Sequence, residues 1–243
     1  MQVRFVGSGD AFGSGGRWQT CISVTSGGQH LLVDCGATSL TALRAQQLDP
    51  QAIDAIAITH LHGDHFGGLP FLILDGQFRR RTAPLHVIGP VGTCARLTSA
   101  MEVLYPGSSQ VARRFEVRVS EISPGDVIDA GQMRVRCWPV VHESGAPSLA
   151  LRVEDGTASF AYSGDTEWTP ALPDAAAGAG LFAAEAYTFE RPIRYHLDYR
   201  TLAAHAAEIT AAQTVLTHMS PDMLGRPGSA AFPAVHDGQT FEV

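Results

Sequence analysis

A chain of 243 residues with 17 basic and 24 acidic side chains, a formal net charge of −7, has room for one large domain or two small ones. That acidic balance argues against broad nucleic-acid binding, which needs a basic face to displace counterions. No stretch reaches the roughly 18–20 apolar residues of a membrane span, and Met1 to Gly7 enters a strand without a leader pattern, so a cytoplasmic location without a membrane partner is expected.

Gln2 to Val6 alternates as a strand and runs into a glycine-rich loop, Gly7 to Gly16. The loop is not a dinucleotide fingerprint, because the spacing is wrong and no helix follows it. It reads instead as backbone free to approach a ligand at a sheet edge. Thr20 to Val24 and His30 to Asp34 are strands joined at Gly27-Gly28, a hairpin signal. Ser39 to Gln47 reads as a helix closed by Asp49-Pro50. Asp54 to Ile58 is a buried strand, Gly67 to Arg80 a mostly buried helix, Leu85 to Ile88 a strand and Gly92 to Tyr105 a helix.

From Phe115 the chain becomes richer in strands. Strands over 115–121 and 132–141 flank the turn Ser123 to Asp126, and strands over 148–154 and 157–163 flank Asp155-Gly156. A helix within 167–177, a strand Leu181 to Ala184, a helix Tyr199 to Ala212 and a strand Thr214 to Thr217 complete the pattern. Two α/β halves, about 1–114 and 115–243, thus form a single domain with strands inside and helices outside. Ile58-Thr59-His60 and Leu216-Thr217-His218 are a faint echo between the halves. Cys21, Cys35, Cys94 and Cys137 are scattered, without a CxxC pair, and read as reduced core thiols. Arg79-Arg80-Arg81 and Arg113-Arg114 read as a solvated face.

The chemistry concentrates after the strand Asp54 to Ile58. His60, His62, Asp64 and His65 place four metal-binding side chains within six positions. His60 and His62 alternate, so both rings can face one centre, and Asp64 and His65 follow a turn at Gly63 and can face another. Neutral imidazole with carboxylate suits zinc, with manganese or iron as alternatives.

This motif, His60-x-His62-x-Asp64-His65 after an apolar strand, resembles the first metal motif of the metallo-β-lactamase superfamily. His142, Asp165 and His218, each following a strand-like run, match the family's remaining ligands. The resemblance implies an α/β fold, the four-layer αββα sandwich of the metallo-β-lactamase type. It also implies a centre of two divalent metal ions. His60, His62 and His142 would hold one, Asp64, His65 and His218 the other, and Asp165 would bridge them. Two such cations clamp the attacking and leaving oxygens of a displacement and lower the pKa of bound water from about 15.7 to about 7, so that hydroxide is the attacking group.

Within the superfamily the chain is similar to the branch of ribonuclease Z and the small cyclic phosphodiesterases. There a histidine before a helix pairs with an upstream glutamate. Glu185 in Ala184-Glu185-Ala186-Tyr187 and His196 in Tyr195-His196-Leu197-Asp198 match these two, although the flanking residues depart from the family wording. The resemblance makes His196, Glu185 and Asp64 the catalytic set, with His196 polarising the phosphoryl group or protonating the leaving oxygen. Ribonuclease Z commonly carries a basic arm between the third-motif histidine and the bridging aspartate. Here His142 and Asp165 are 23 positions apart, and a hairpin fills the interval. The cyclic-phosphodiesterase relatives carry an N-terminal cysteine cluster, of which only Cys21 is present. The expectation is a dinuclear metal-dependent phosphodiesterase for a small or cyclic phosphodiester, with nucleic acid less favoured as substrate. A carboxylic ester, thioester or lactone hydrolase and an arm-less ribonuclease Z-like enzyme are the alternatives, and a homodimer is compatible with the sequence.

Overall fold

The computed structural model describes residues 1–226, 228 and 230–243. Thirteen strands form two sheets among them. In chain order they are β1 (Gln2–Gly7), β2 (Cys21–Ser26), β3 (Gln29–Val33), β4 (Ala55–Ala57), β5 (Leu85–Pro90), β6 (Val117–Ile122), β7 (Val127–Ala130), β8 (Met133–Pro139), β9 (Leu149–Glu154), β10 (Ser159–Tyr162), β11 (Leu181–Glu185), β12 (Gln213–Thr217) and β13 (Thr240–Glu242). Seven helices cover them: α1 (Ser39–Ala45), α2 (Gly63–Phe66), α3 (Leu69–Phe78), α4 (Thr93–Leu104), α5 (Ala171–Ala176), α6 (Tyr199–Ala204) and α7 (Pro221–Leu224). The first sheet runs β13-β1-β2-β3-β4-β5-β6 and the second β12-β11-β10-β9-β8-β7.

Three apolar layers follow from alternation along the strands, since successive side chains point to opposite faces. Between the sheets lie Val3, Phe5, Ile22 and Val24 from one side and Val135, Val153, Phe160 and Val215 from the other. Phe5 and Phe160 meet edge to face there, with ring centroids 6.5 Å apart. The outer face of the first sheet packs Leu32, Ile56 and Val87 against Leu43, Leu69, Leu72 and Leu97 of the helices. The outer face of the second packs Ala161, Phe182 and Leu216 against Leu172, Leu202 and Met223. Helix, sheet, sheet, helix is the expected αββα order.

The strands β3, β4, β5 and β6 are parallel, as are β10, β11 and β12. Parallel strands end at the same sheet edge, so the residues that follow them gather there. That arrangement positions the site.

Several expectations are corrected. Val117–Ile122, assigned to the second half, pairs in parallel with β5 and completes the first sheet. The turn Ser123 to Asp126 therefore carries the chain between sheets, and the hairpin is instead β7 with β8. The short strand β13, unforeseen, pairs with β1 and returns the end of the chain to the first sheet. The helix read as Tyr199 to Ala212 stops at Ala204, because His205 leaves it to stack flat on Trp168 at 4.1 Å and to bond Glu208. Arg81 is not solvated: its guanidinium is buried and donates to the carbonyls of Gln51, Ile53, Ala83 and Pro84. Cys94 is exposed, whereas Cys21, Cys35 and Cys137 are buried free thiols.

Gly27 and Gly28 turn the β2–β3 hairpin with φ of 58° and 82°, the left-handed values a two-residue turn requires. Gly7 has a different reason. A Cβ there would lie 2.0 Å from the carbonyl oxygen of Gln19, so at this position the chain passes close to its own returning backbone.

Candidate metal centre

Each expected donor sits just beyond a strand end. His60 follows β4, and His62 is the extended residue that caps α2, whose first turn carries Asp64 and His65. His142 follows β8, Asp165 follows β10 and His218 follows β12 in a left-handed conformation, φ 56°. Glu185 is the last residue of β11. His196 arrives from the loop before α6, whose N-terminus Asp198 caps by accepting from Thr201 N–H.

The donors fall into two groups, each with its ligand atoms within 4.8 Å of one another: His60, His62 and His142, and Asp64, His65, Asp165 and His218. In the first group, Nε2 of His142 and Nδ1 of His62 face each other at 3.0 Å. In the second, His65 Nε2 lies 3.3 Å from Asp64, from Asp165 and from His218 Nε2. Asp165 spans the groups: its Oδ2 is 3.5 Å from His218 Nε2 and 4.0 Å from His60 Nε2. Among the described residues His60 Nε2 and Asp165 Oδ1 are buried without hydrogen-bond partners. Such orphaned atoms in a buried cluster of nitrogen and carboxylate donors fit divalent cations.

The rings are fixed from behind. His142 donates Nδ1–H to the Tyr195 carbonyl at 2.8 Å, which turns Nε2 toward the cluster. His65 donates Nδ1–H to Asp34 at 2.7 Å, and Asp34 also accepts from the N–H and hydroxyl of Thr59. Thr59 and Thr217, the shared residue of the internal echo, thus do related work. Thr59 holds Asp34, and Thr217 donates its hydroxyl to the Ser8 carbonyl in the glycine-rich loop.

The electrostatics separate the two groups. Burial, reinforced by neighbouring histidines, holds His60 well below its ordinary pKa and also lowers His62, so both are neutral and ready to coordinate. Burial alone would lower His65 and His218 too. The charges of Asp165 and Asp64 outweigh it, with Asp34 adding to His65 and Glu185 to His218. His65 is raised strongly and His218 to about 10. Burial works to raise Asp64 and Asp165, but those same rings hold both carboxyls far below their usual range. A divalent cation held by the second group would compete with these imidazole protons, so its binding would be coupled to proton release.

Glu185 is buried and its oxygens are committed to orientation. Oε2 accepts from Thr166 N–H at 2.8 Å and Leu197 N–H at 3.2 Å, and Oε1 accepts from His196 Nδ1–H at 2.5 Å. Burial lowers His196, but the hydrogen bond and charge of Glu185 outweigh it and the net shift is upward. The ring of His196 lies 5.1 Å from that of His142 and stacks on Tyr187 at 4.6 Å.

All nine site residues expected from sequence therefore come together. Asp34, Tyr187 and Tyr195 were missed. Asp34 left a signal, an acid at the end of the strand beside the metal strand. Tyr195 acts through its carbonyl, and Tyr187 by packing, neither of which side-chain identity announces. Asp34→Asn is expected to weaken metal affinity about 10–100-fold, the usual scale for removing such a support. Competition against a chromophoric chelator measures it, and unchanged affinity would show that Asp34 only packs.

Residues 1–241 match the family described as anti-Pycsar protein Apyc1. Ribonuclease Z of Mycobacterium marinum is 29% identical over 248 residues, covering 92% of this chain and 88% of that one. The short form of human tRNase Z superposes with a TM-score of 0.81 at 25% identity, covering 100% of this chain and 99% of the other. The metallo-β-lactamase fold protein YhfI of Bacillus subtilis superposes with a TM-score of 0.78 at 18% identity over 99% of both chains.

Proposed function

The chain belongs to the family of the anti-Pycsar protein Apyc1, and from that premise we propose that it is a metal-dependent hydrolase of small or cyclic phosphodiesters. The observation that carries this reading is the Glu185–His196 pair, 2.5 Å apart at the edge of the two donor groups. When bound, two divalent metals, zinc foremost with manganese or iron as alternatives, would supply Lewis-acid charge and an ionised water. His60, His62 and His142 would hold one, and Asp64, His65 and His218 the other, with Asp165 shared.

The protein's own residues do the rest. Glu185 accepts the Nδ1–H hydrogen bond of His196 and keeps its proton on the ring, which leaves Nε2–H as the free donor. Hydrolysis of a phosphodiester builds charge on the phosphoryl oxygens and on the departing alkoxide. A cationic His196 donates a hydrogen bond to the first or a proton to the second. The upward shift carries that proton to higher pH than an ordinary histidine would hold it, and Tyr187 and the Tyr195 carbonyl keep His196 and His142 in register.

Two features support a small substrate. The interval between His142 and Asp165 is filled by the β9–β10 hairpin, and the net charge is −7. The identity to ribonuclease Z supports RNA processing as a second reading. A panel of bis-(p-nitrophenyl) phosphate, a cyclic nucleotide, precursor tRNA and a lactone separates these readings. Small or cyclic diesters should be hydrolysed, with activity lost to a chelator and restored by zinc or manganese. Accurate 3′ cleavage of precursor tRNA would favour the second reading, and lactone turnover without diester turnover would sink both.

A further inference from the structure

The candidate metal ligands differ in how they are held. His65 leans on Asp34 and His142 on the Tyr195 carbonyl, each through Nδ1–H. His218 has no such support: among the described residues its buried Nδ1 is without a hydrogen-bond partner. Glu185 Oε1 stands 3.6 Å away and is taken by His196. A histidine ligand ordinarily rests on a partner behind its ring, so this one has to be placed by its backbone. That backbone is left-handed, φ 56°, a conformation that persists only where the surroundings fix it.

The fixing comes from Ser8, in the glycine-rich loop. Its carbonyl accepts from His218 N–H at 3.2 Å and from the Thr217 hydroxyl at 3.3 Å. Ser8 is fully buried and is itself held from behind by Asp237. Asp237 Oδ1 accepts from both the N–H and the hydroxyl of Ser8 at 2.8 Å. Its Oδ2 accepts from Trp18 N–H at 2.9 Å, where the chain returns from the loop. Bonds to an ionised carboxylate are roughly twice as strong as neutral ones. Arg17 stands beside the group: its Nη1 reaches Ser8 Oγ at 3.3 Å, and the charge of Asp237 opposes the effect of burial on the guanidinium.

Asp237 arrives on a segment anchored to both sheets. Val235 N–H and the Pro233 carbonyl bond Leu216 of β12, while Gly238 N–H and the Gln239 carbonyl bond Phe5 of β1. One anchored carboxylate therefore lies behind the loop that holds His218.

We infer that Asp237 is a positioning residue for His218, acting through Ser8, and that it sets the affinity of the ion His218 would share with Asp64 and His65. The inference rests on the two-metal reading above.

Competition of the zinc-loaded full chain against a chromophoric chelator tests this by following the two ions separately. Asp237→Ala should weaken the hold on one ion about 10-fold, the lower end of the range for groups behind a ligand, and leave the other within about 2-fold. Asp237→Asn, which keeps the shape but brings an amide N–H toward other donors, should act in the same direction by less. Asp155→Ala is the control. Asp155 accepts from the Ser26 hydroxyl and from the Thr157 and Ala158 N–H groups at the β9–β10 turn, the end of β10 away from Asp165. Its loss should spare both ions. In His218→Ala, adding Asp237→Ala should not change the hold on the remaining ion, because the two residues act on the same one.

Equal weakening of both ions by Asp237→Ala, the same selective loss in Asp155→Ala, a further loss in the His218→Ala background, or no change at all would overturn the inference and leave the two-metal reading standing. Should Asp237→Ala fail to fold, Asp237→Asn and Ser8→Ala decide by the same ratio of affinities. Uptake of fewer than two ions by the unaltered protein in excess zinc removes the two-metal reading, and the inference with it.

Discussion

Asp165→Ala should abolish diester hydrolysis and reduce bound metal from close to two ions per chain to one or fewer. Asp165 is the carboxylate that reaches both donor groups, from a position 3% exposed. Its loss leaves His60 on one side and His65 with His218 on the other without their shared charge. A ligand bound only by the native state stabilises it by about 4 kcal/mol when free at 1,000 times its Kd. The variant should forfeit much of that, so its thermal midpoint should respond weakly to added metal. Elemental analysis beside a thermal melt checks both effects. A variant that keeps two ions and full activity would refute the shared carboxylate.

His196→Ala should behave differently, keeping both metals and the fold. Its loss should fall mainly on kcat, by roughly 10²–10⁴-fold, as for a positioned acid or base. Glu185→Gln should cost less, and the double variant little more than His196→Ala alone, because the two side chains act as one unit. The pH profile supplies an independent check. Glu185 raises His196, so the form that can donate is present below that raised pKa and is lost as pH rises through it. In Glu185→Gln this loss should begin at lower pH. The defect of His196→Ala should shrink for nitrophenyl esters, whose leaving group needs little protonation, and persist for alkyl esters. Full activity on alkyl diesters would reduce His196 to a structural role.

The site was legible because its chemistry lies in side chains whose types are rare at strand ends. His60 to His65 declare a centre by density alone, and the separate His142, Asp165 and His218 fall where buried strands stop. Glu185 and His196 were legible through family likeness, since a lone glutamate and a lone histidine carry no spacing signal. The fold was legible where burial writes a pattern, as in the continuous apolar run of β4 or the Gly27-Gly28 hairpin. It was less so where tertiary contacts decide. Val117–Ile122 has the composition of a strand for either sheet, and only pairing with β5 assigns it to the first. The alanines after Tyr199 favour helix locally, yet the stack of His205 on Trp168 ends it early. Arg81 looks like one of three surface arginines until four carbonyls are found around it.

The donors are divided between the sheets: His60 follows a strand of the first, and His142, Asp165 and His218 follow strands of the second. Packed apolar side chains such as Phe5 and Phe160 fill much of the space between the sheets, and the four cysteines are free. Any fluctuation that parts the layers therefore pulls ligands from opposite sides of the centre at once. How long an ion stays then becomes a clock for the breathing of the sandwich. Once a chelator is abundant enough to capture every ion released, adding more of it should not hasten the loss.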